Sequence, residues 1–177
     1  MFRRIVRTAG IIAIIAFFAF SWFSPRGGPA IGQRAPLLMG TLLNGDAYEL
    51  EEGKGTVTVI DFWATWCPPC VKSLPALQIL HERYVGDPRI QIVSVNLDDG
   101  SRLKARLKSF LTERAYDFPV ILDVNKGISR AYGVQTIPTM VVVDGSGLVH
   151  TVKVGLFAND PKRIVDHVVA TINDAAQ

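Results

Sequence analysis

The chain of 177 residues has room for one domain, and with 49 % hydrophobic and 20 % charged residues it can fill a core, which excludes wholesale disorder. Five of its nineteen basic residues (Arg3, Arg4, Arg7, Arg26 and Arg34) and none of its sixteen acids lie in residues 1–34, so the rest of the chain sets 14 basic against 16 acidic groups and offers no charge excess to nucleic acid. Two cysteines, Cys67 and Cys70, are too few for a disulfide-stapled scaffold or a four-cysteine zinc site.

Arg3, Arg4 and Arg7 precede an uncharged run, Thr8 to Pro25, whose centre is rich in Ile, Ala and Phe. A positive flank followed by an apolar run is the pattern of an export signal with its arginines left in the cytoplasm. The run predicts a cytoplasmic N-terminus over 1–7, a signal-anchor transmembrane segment over 8–24, a Pro- and Gly-rich linker over 25–35 and a folded domain over 36–177. Ala19-Phe20-Ser21 offers small residues at a cleavage spacing, but Phe20, Trp22 and Phe23 crowd it, so an uncleaved anchor is favoured; cleavage would release the domain to the periplasm. Either way the domain lies outside the cytoplasm, where a disulfide persists.

In the domain, Leu37–Leu43 and Ala47–Leu50 flank Asn44-Gly45 and read as a hairpin on a two-residue turn. Thr56–Phe62 reads as a buried strand and Pro69–Val85 as a helix kinked at Pro75, with Leu74, Leu77, Leu80 and Tyr84 inward. A second buried strand follows at Ile90–Asn96. Arg102–Arg114 is an amphipathic helix with Leu103, Leu107, Phe110 and Leu111 as its apolar stripe; its basic residues read as a solvated face. Pro119–Leu122 is a short strand and Lys126–Tyr132 a helix ending at Gly133. Thr139–Val143 and Val149–Val154 form a second hairpin. Asp160 caps a last helix that starts on Pro161 and turns Ile164, Val165, Val168, Val169 and Ile172 inward. Strands alternating with helices imply a mixed α/β sheet with helices on both faces.

The chemistry concentrates in Asp61-Phe62-Trp63-Ala64-Thr65-Trp66-Cys67-Pro68-Pro69-Cys70, which leaves a buried strand and opens a helix. Cys67 falls at the helix N-terminus, where backbone N–H groups and the helix dipole stabilise a thiolate. Cys70 lies one turn further in, close enough to close a small disulfide. Cys67 is therefore the candidate nucleophile and Cys70 the resolving thiol. Pro68 and Pro69 suit a first helical turn, whose N–H groups are spare, and stiffen the ring. Trp63 reads as packing beneath the motif and Trp66 as surface near a substrate.

This stretch closely resembles thioredoxin, and the resemblance implies a thioredoxin fold with an N-terminal β-hairpin and an inserted helix–strand unit on a central mixed sheet. A second signature, Thr136-Ile137-Pro138-Thr139, matches the family's segment in which the proline is cis and faces the disulfide. On that match Pro138 is expected to be cis, with the Ile137 backbone open to an extended substrate segment. Asp61 matches the family's buried aspartate below the second cysteine, and the match implies a role in proton transfer to and from Cys70. Where thioredoxin carries a lysine near that aspartate, this chain has Ser94. The acidic residue that some relatives place beside the disulfide is also missing, unless Asp61 serves.

Within the superfamily the chain looks most like the membrane-anchored TlpA/ResA-like thiol-disulfide oxidoreductases. The N-terminal anchor, the hairpin at 37–50 and the extra helix and strand at 102–122 support this. The resemblance implies protein thiols and disulfides as substrates, exchanged through Cys67 and Cys70 with Trp66, Pro68, Pro69, Ile137 and Pro138 as the substrate face. It implies no cofactor beyond the cysteine pair and no metal. It also implies a transmembrane thiol electron donor and, from kinship, reduction of apocytochrome c thiols during cytochrome c maturation. The alternatives are an oxidant or isomerase, which is the same exchange run differently, and a copper metallochaperone, since two thiolates suit Cu(I). Copper-handling relatives space their cysteines as C-x-x-x-C with a partner histidine, whereas His81, His150 and His167 here read as locally satisfied. A peroxidase of the peroxiredoxin type is disfavoured, because its isolated cysteine and threonine are missing.

Overall fold

The computed structural model describes residues 27–50 and 55–177. The expected cytoplasmic N-terminus over 1–7 and membrane segment over 8–24 lie outside the described residues. Among the described residues no helix is long and apolar enough to cross a membrane.

Among the described residues seven strands and four helices follow in the order β1 (Met39–Thr41), β2 (Ala47–Glu49), β3 (Val57–Trp63), α1 (Pro68–Tyr84), β4 (Ile90–Asn96), α2 (Leu103–Thr112), β5 (Val120–Leu122), α3 (Gly127–Ala131), β6 (Thr139–Val143), β7 (Val149–Val154) and α4 (Pro161–Ala175). The main sheet runs β5-β4-β3-β6-β7, parallel across β5-β4-β3 and antiparallel across β3-β6-β7. Every residue of the central β3 is buried. This is why the strand reads as an unbroken run of apolar and β-branched residues rather than an alternation: both of its faces are covered.

The two faces carry separate cores. Val57, Val59 and Trp63 join Leu74, Leu77 and Leu80 of α1, Leu107 and Leu111 of α2, and Ile164, Val168 and Ile172 of α4. Ile60 and Phe62 point the other way, to Leu38, Leu50 and Tyr132, so the hairpin and α3 cover that face. The mixed sheet with helices on both faces is thus the observed architecture.

Two local differences from expectation have physical causes. The first strand is three residues long, not seven, because its flanks are used elsewhere. Leu38 is buried in the second core and accepts from Leu50 N–H, whereas Leu42 and Leu43 bridge to Ile121 and Val120 and cover the edge of β5. The hairpin connection consequently spans Leu42–Asp46 rather than two residues, with Gly45 at φ 105° and the Asn44 side chain accepting from Asp46 N–H. The boundary drawn at 35/36 also moves. Gly32 N–H donates to Val149 O, Val149 N–H to Gln33 O, and Ala35 N–H to Gly147 O. Gly28 lies so close to Tyr132 and Gly133 that a Cβ would meet the Tyr132 carbonyl oxygen at 2.0 Å. The described part of the expected linker is therefore pinned along the domain, not slack.

Candidate active site

The site forms where β3 ends. Ala64 and Thr65 leave the strand, and Cys67 becomes the N-cap of α1 with Pro68 and Pro69 in the first turn. Because neither proline has an N–H, the first backbone donor of the helix is that of Cys70, and it points 3.2 Å to Cys67 Sγ. Cys67 and Cys70 are joined in a disulfide with their Cα atoms 5.2 Å apart. The two sulfur-bearing residues differ in access: Cys67 is 4 % exposed and Cys70 fully buried. Pro68, Pro69 and Trp66 surround Cys67 on the outside, and Trp66 is 66 % exposed. Trp63 is fully buried, tilted against Phe110 and edge-on to Phe118.

Opposite the disulfide, the Ile137–Pro138 peptide is cis and Pro138 is buried. The Ile137 carbonyl oxygen lies 3.7 Å from Cys67 Sγ. In the disulfide that sulfur has no proton to donate, so this is a contact; once reduced, the thiol has a ready acceptor there. The eight residues singled out in the sequence take the following places. Cys67, Cys70, Trp66, Pro68 and Pro69 open α1, Ile137 and Pro138 face them, and Asp61 sits on β3 behind.

Asp61 is buried at 7 % exposure, and its Oδ2 has no hydrogen-bond partner. Burial pushes its carboxyl up to about 7, far above the ordinary aspartate range, since the charged form loses its hydration and gains nothing back. Ser94 stands beside it on β4 but donates to Pro119 O instead.

One participant is absent from the sequence reading. Asp98, at 2 % exposure, accepts from Thr65 N–H at 3.0 Å, Thr65 Oγ1 at 2.9 Å and Asn96 Nδ2 at 2.8 Å. It therefore ties the end of β4 to the turn that carries Trp66 and Cys67. The available signal was Asn96-Leu97-Asp98 just past an apolar strand, but only the fold brings residues 65 and 98 together. Asp98→Ala strands buried donors and is expected to cost about 2 kcal/mol, read as a lower urea midpoint with unchanged slope. An unchanged midpoint would show that the turn holds without it.

The histidines lie apart from the cysteines. His150 Nε2 is 3.1 Å from Asp174, His81 Nε2 is 3.7 Å from Asp117, and His167 packs on Phe157. Among the described residues no cluster of three or more His, Cys, Asp or Glu is placed to hold a metal ion.

A redox-active C-x-x-C disulfide on a helix N-terminus, faced by a cis-proline loop, defines a thiol-disulfide oxidoreductase of thioredoxin fold. The comparisons agree. Residues 31–152 match the AhpC/TSA family model, and the chain belongs to that family. It is 32 % identical over 124 residues to the thioredoxin-like protein YneN of Bacillus subtilis, covering 70 % of this chain and 71 % of that one. It is 32 % identical over 128 residues to the thiol-disulfide oxidoreductase ResA of Bacillus cereus, covering 72 % of each. Among solved structures, StoA from Bacillus subtilis superposes with a TM-score of 0.63 at 25 % identity, over 79 % of this chain and 99 % of that one. The resemblance drawn from the two motifs therefore stands, and the redox group is the cysteine pair itself.

Proposed function

We propose that the domain works outside the cytoplasm as a reductant of protein disulfides, held at the membrane by residues 8–24. Cys67 is the nucleophile, Cys70 the resolving thiol and Asp61 the group that exchanges a proton with Cys70. The observation that carries this reading is the asymmetry of the pair. Only Cys67 is near the surface, flanked by exposed Trp66, Pro68 and Pro69 and by the Ile137 backbone, while Cys70 is sealed inside. A bulky protein substrate can reach one sulfur and not the other.

In the reducing direction Cys67 thiolate attacks the substrate disulfide, forming a mixed disulfide and releasing one substrate thiolate. Cys70 gives its proton to Asp61 and attacks Cys67 Sγ, and the second substrate thiolate leaves with the electron pair. The pair ends as the disulfide seen here, and an external dithiol must reset it. A transmembrane thiol carrier fits that task. Kinship with ResA favours apocytochrome c thiols as the product, made during cytochrome c maturation.

The test is the redox state of Cys67 and Cys70 in intact cells, by acid quench and a mass-shifting thiol label, with and without the transmembrane thiol carrier. A mostly reduced pair that becomes oxidised when the carrier is lost is the expected result. A mostly oxidised pair in both strains would overturn the reductant reading in favour of an oxidant.

A further inference from the structure

Beside Pro138 a narrow cleft, open to solvent and with about 30 Å³ of room for water, reaches Asp61. Its floor is the sheet. Asp61 on β3 is in register with Met140 on β6, and Met140 with Lys153 on β7, so all three side chains share one face. Leu77 and Ser73 of α1 and Ile164 of α4 roof it. Two strand spacings put the Asp61 and Lys153 backbones roughly 10 Å apart, within the combined reach of the two side chains. Lys153 is half-buried, and among the described residues it is the one cationic group lining the cleft. Ser73 adds a hydroxyl, which donates to Cys70 O at 2.8 Å.

The other ionisable neighbours are few. Cys70, one turn before Ser73, is the reacting thiol. Ser94 on β4 is turned to Pro119, and Met140 and Ile164 bring no charge from β6 and α4. Among the described residues, a carboxylate formed at Asp61 therefore has a single cation on its route to water.

We propose that Lys153 is a positioning residue for proton transfer at Asp61: its ammonium, in the cleft that joins Asp61 to solvent, favours the carboxylate and so keeps Asp61 able to take the proton of Cys70. The inference rests on the role assigned to Asp61 above. The proton leaves Cys70 Sγ for Asp61 and then passes to solvent along the cleft; no electron passes through Lys153. Burial pushes the Asp61 carboxyl up, and a cation in the same cleft acts in the opposite direction.

The experiment follows reduced enzyme reacting with an aromatic disulfide that releases a coloured thiolate twice. The first release reports attack by Cys67 and the second resolution by Cys70. Lys153→Met is expected to slow the second release about threefold at pH 7 and to move its pH midpoint up by about half a unit to one unit, leaving the first release unchanged. Lys153→Arg is expected to restore both. Asp61→Asn, run alongside, slows the second release whether or not Lys153 matters. If Asp61→Asn slows it and Lys153→Met matches wild type at every pH, the assignment of Lys153 is overturned and that of Asp61 stands. If Asp61→Asn has no effect, the Asp61 reading fails and this inference with it. Equal slowing of both releases by Lys153→Met, or a lowered melting temperature without rescue by Arg, would mark Lys153 as structural and overturn the proposal.

Discussion

Cys67→Ser is expected to drop disulfide reduction to the uncatalysed background, a loss of about a thousandfold or more, while Cys70→Ser accumulates mixed disulfides with substrates. The reason lies in the first turn of α1. With prolines at the first two positions, the helix offers no backbone donor before that of Cys70, which points at Cys67 Sγ. That N–H and the positive end of the helix favour a thiolate on Cys67 and nothing comparable favours one on Cys70. Access works in the same direction, since Cys70 is fully buried. Removing Cys70 leaves attack intact and blocks release, so trapped complexes are expected on non-reducing gels after acid quench. Complexes trapped by Cys67→Ser and not by Cys70→Ser would reverse the two roles.

The second large effect concerns stability and pH. The folded-state carboxyl of Asp61 titrates at about 7, against 3.8 for the ordinary group. Folding therefore favours its protonated form, and the native state binds the extra proton between those two values. The stability associated with this group is fully present below about pH 3.8, is lost progressively as pH rises, and is gone above about pH 7. The full difference corresponds to about 4 kcal/mol. Asp61→Asn cannot ionise, so its stability should lack this fall. Denaturant unfolding of both oxidised proteins at pH 4.5 and pH 8 isolates the effect, because other carboxylates cancel in the difference. Asp61→Asn should gain several kcal/mol on wild type between the two conditions; parallel behaviour would show that Asp61 is not desolvated as its burial implies. A group that costs this much at neutral pH is poorly explained by packing alone. Its retention fits a base poised near the working pH.

The same carboxyl connects stability to chemistry. A buried acid with an orphaned Oδ2 is a poor structural element, and Met140 and Ser94 beside it do nothing to satisfy it. A cleft with Lys153 in its wall reaches this residue. The site thus combines a sulfur pair shaped by the start of a helix with a buried carboxyl shaped by the middle of a sheet.

Much of this was legible in the chain itself. The run from Thr56 to Phe62, apolar and β-branched, announced a buried strand, and β3 lies one residue further on, at Val57–Trp63. C-P-P-C directly after it announced a helix with Cys67 at its N-terminus, and the structure has Cys67 as the N-cap. Asp160-Pro161 marked the start of α4, and the side chain of Asp160 does accept from Lys162 N–H. These signals are local: each depends on residues within a turn or two of one another, where capping, proline geometry and periodicity act. The expectation of a cis peptide at Pro138 came from a matched motif, and the structure has it.

What tertiary structure alone decided is every relation between distant segments. The first hairpin is shorter than its apolar run because Leu38 is taken into the second core and Leu42 and Leu43 cover β5. The Gly-rich stretch after Arg26 reads as slack, yet Gly32, Gln33 and Ala35 bond to the β6–β7 hairpin and Gly28 packs against Gly133. Asp98 reaches Thr65 across 33 residues, and Lys153 reaches the cleft of Asp61 across two strands. No periodicity or cap encodes such contacts, since they follow from strand order and register, which only the assembled sheet sets. The sequence alone determined that the cysteine pair opens a helix; the fold decided which of the two sulfurs lies nearer the surface and left the Asp61 carboxyl buried with one oxygen unpartnered.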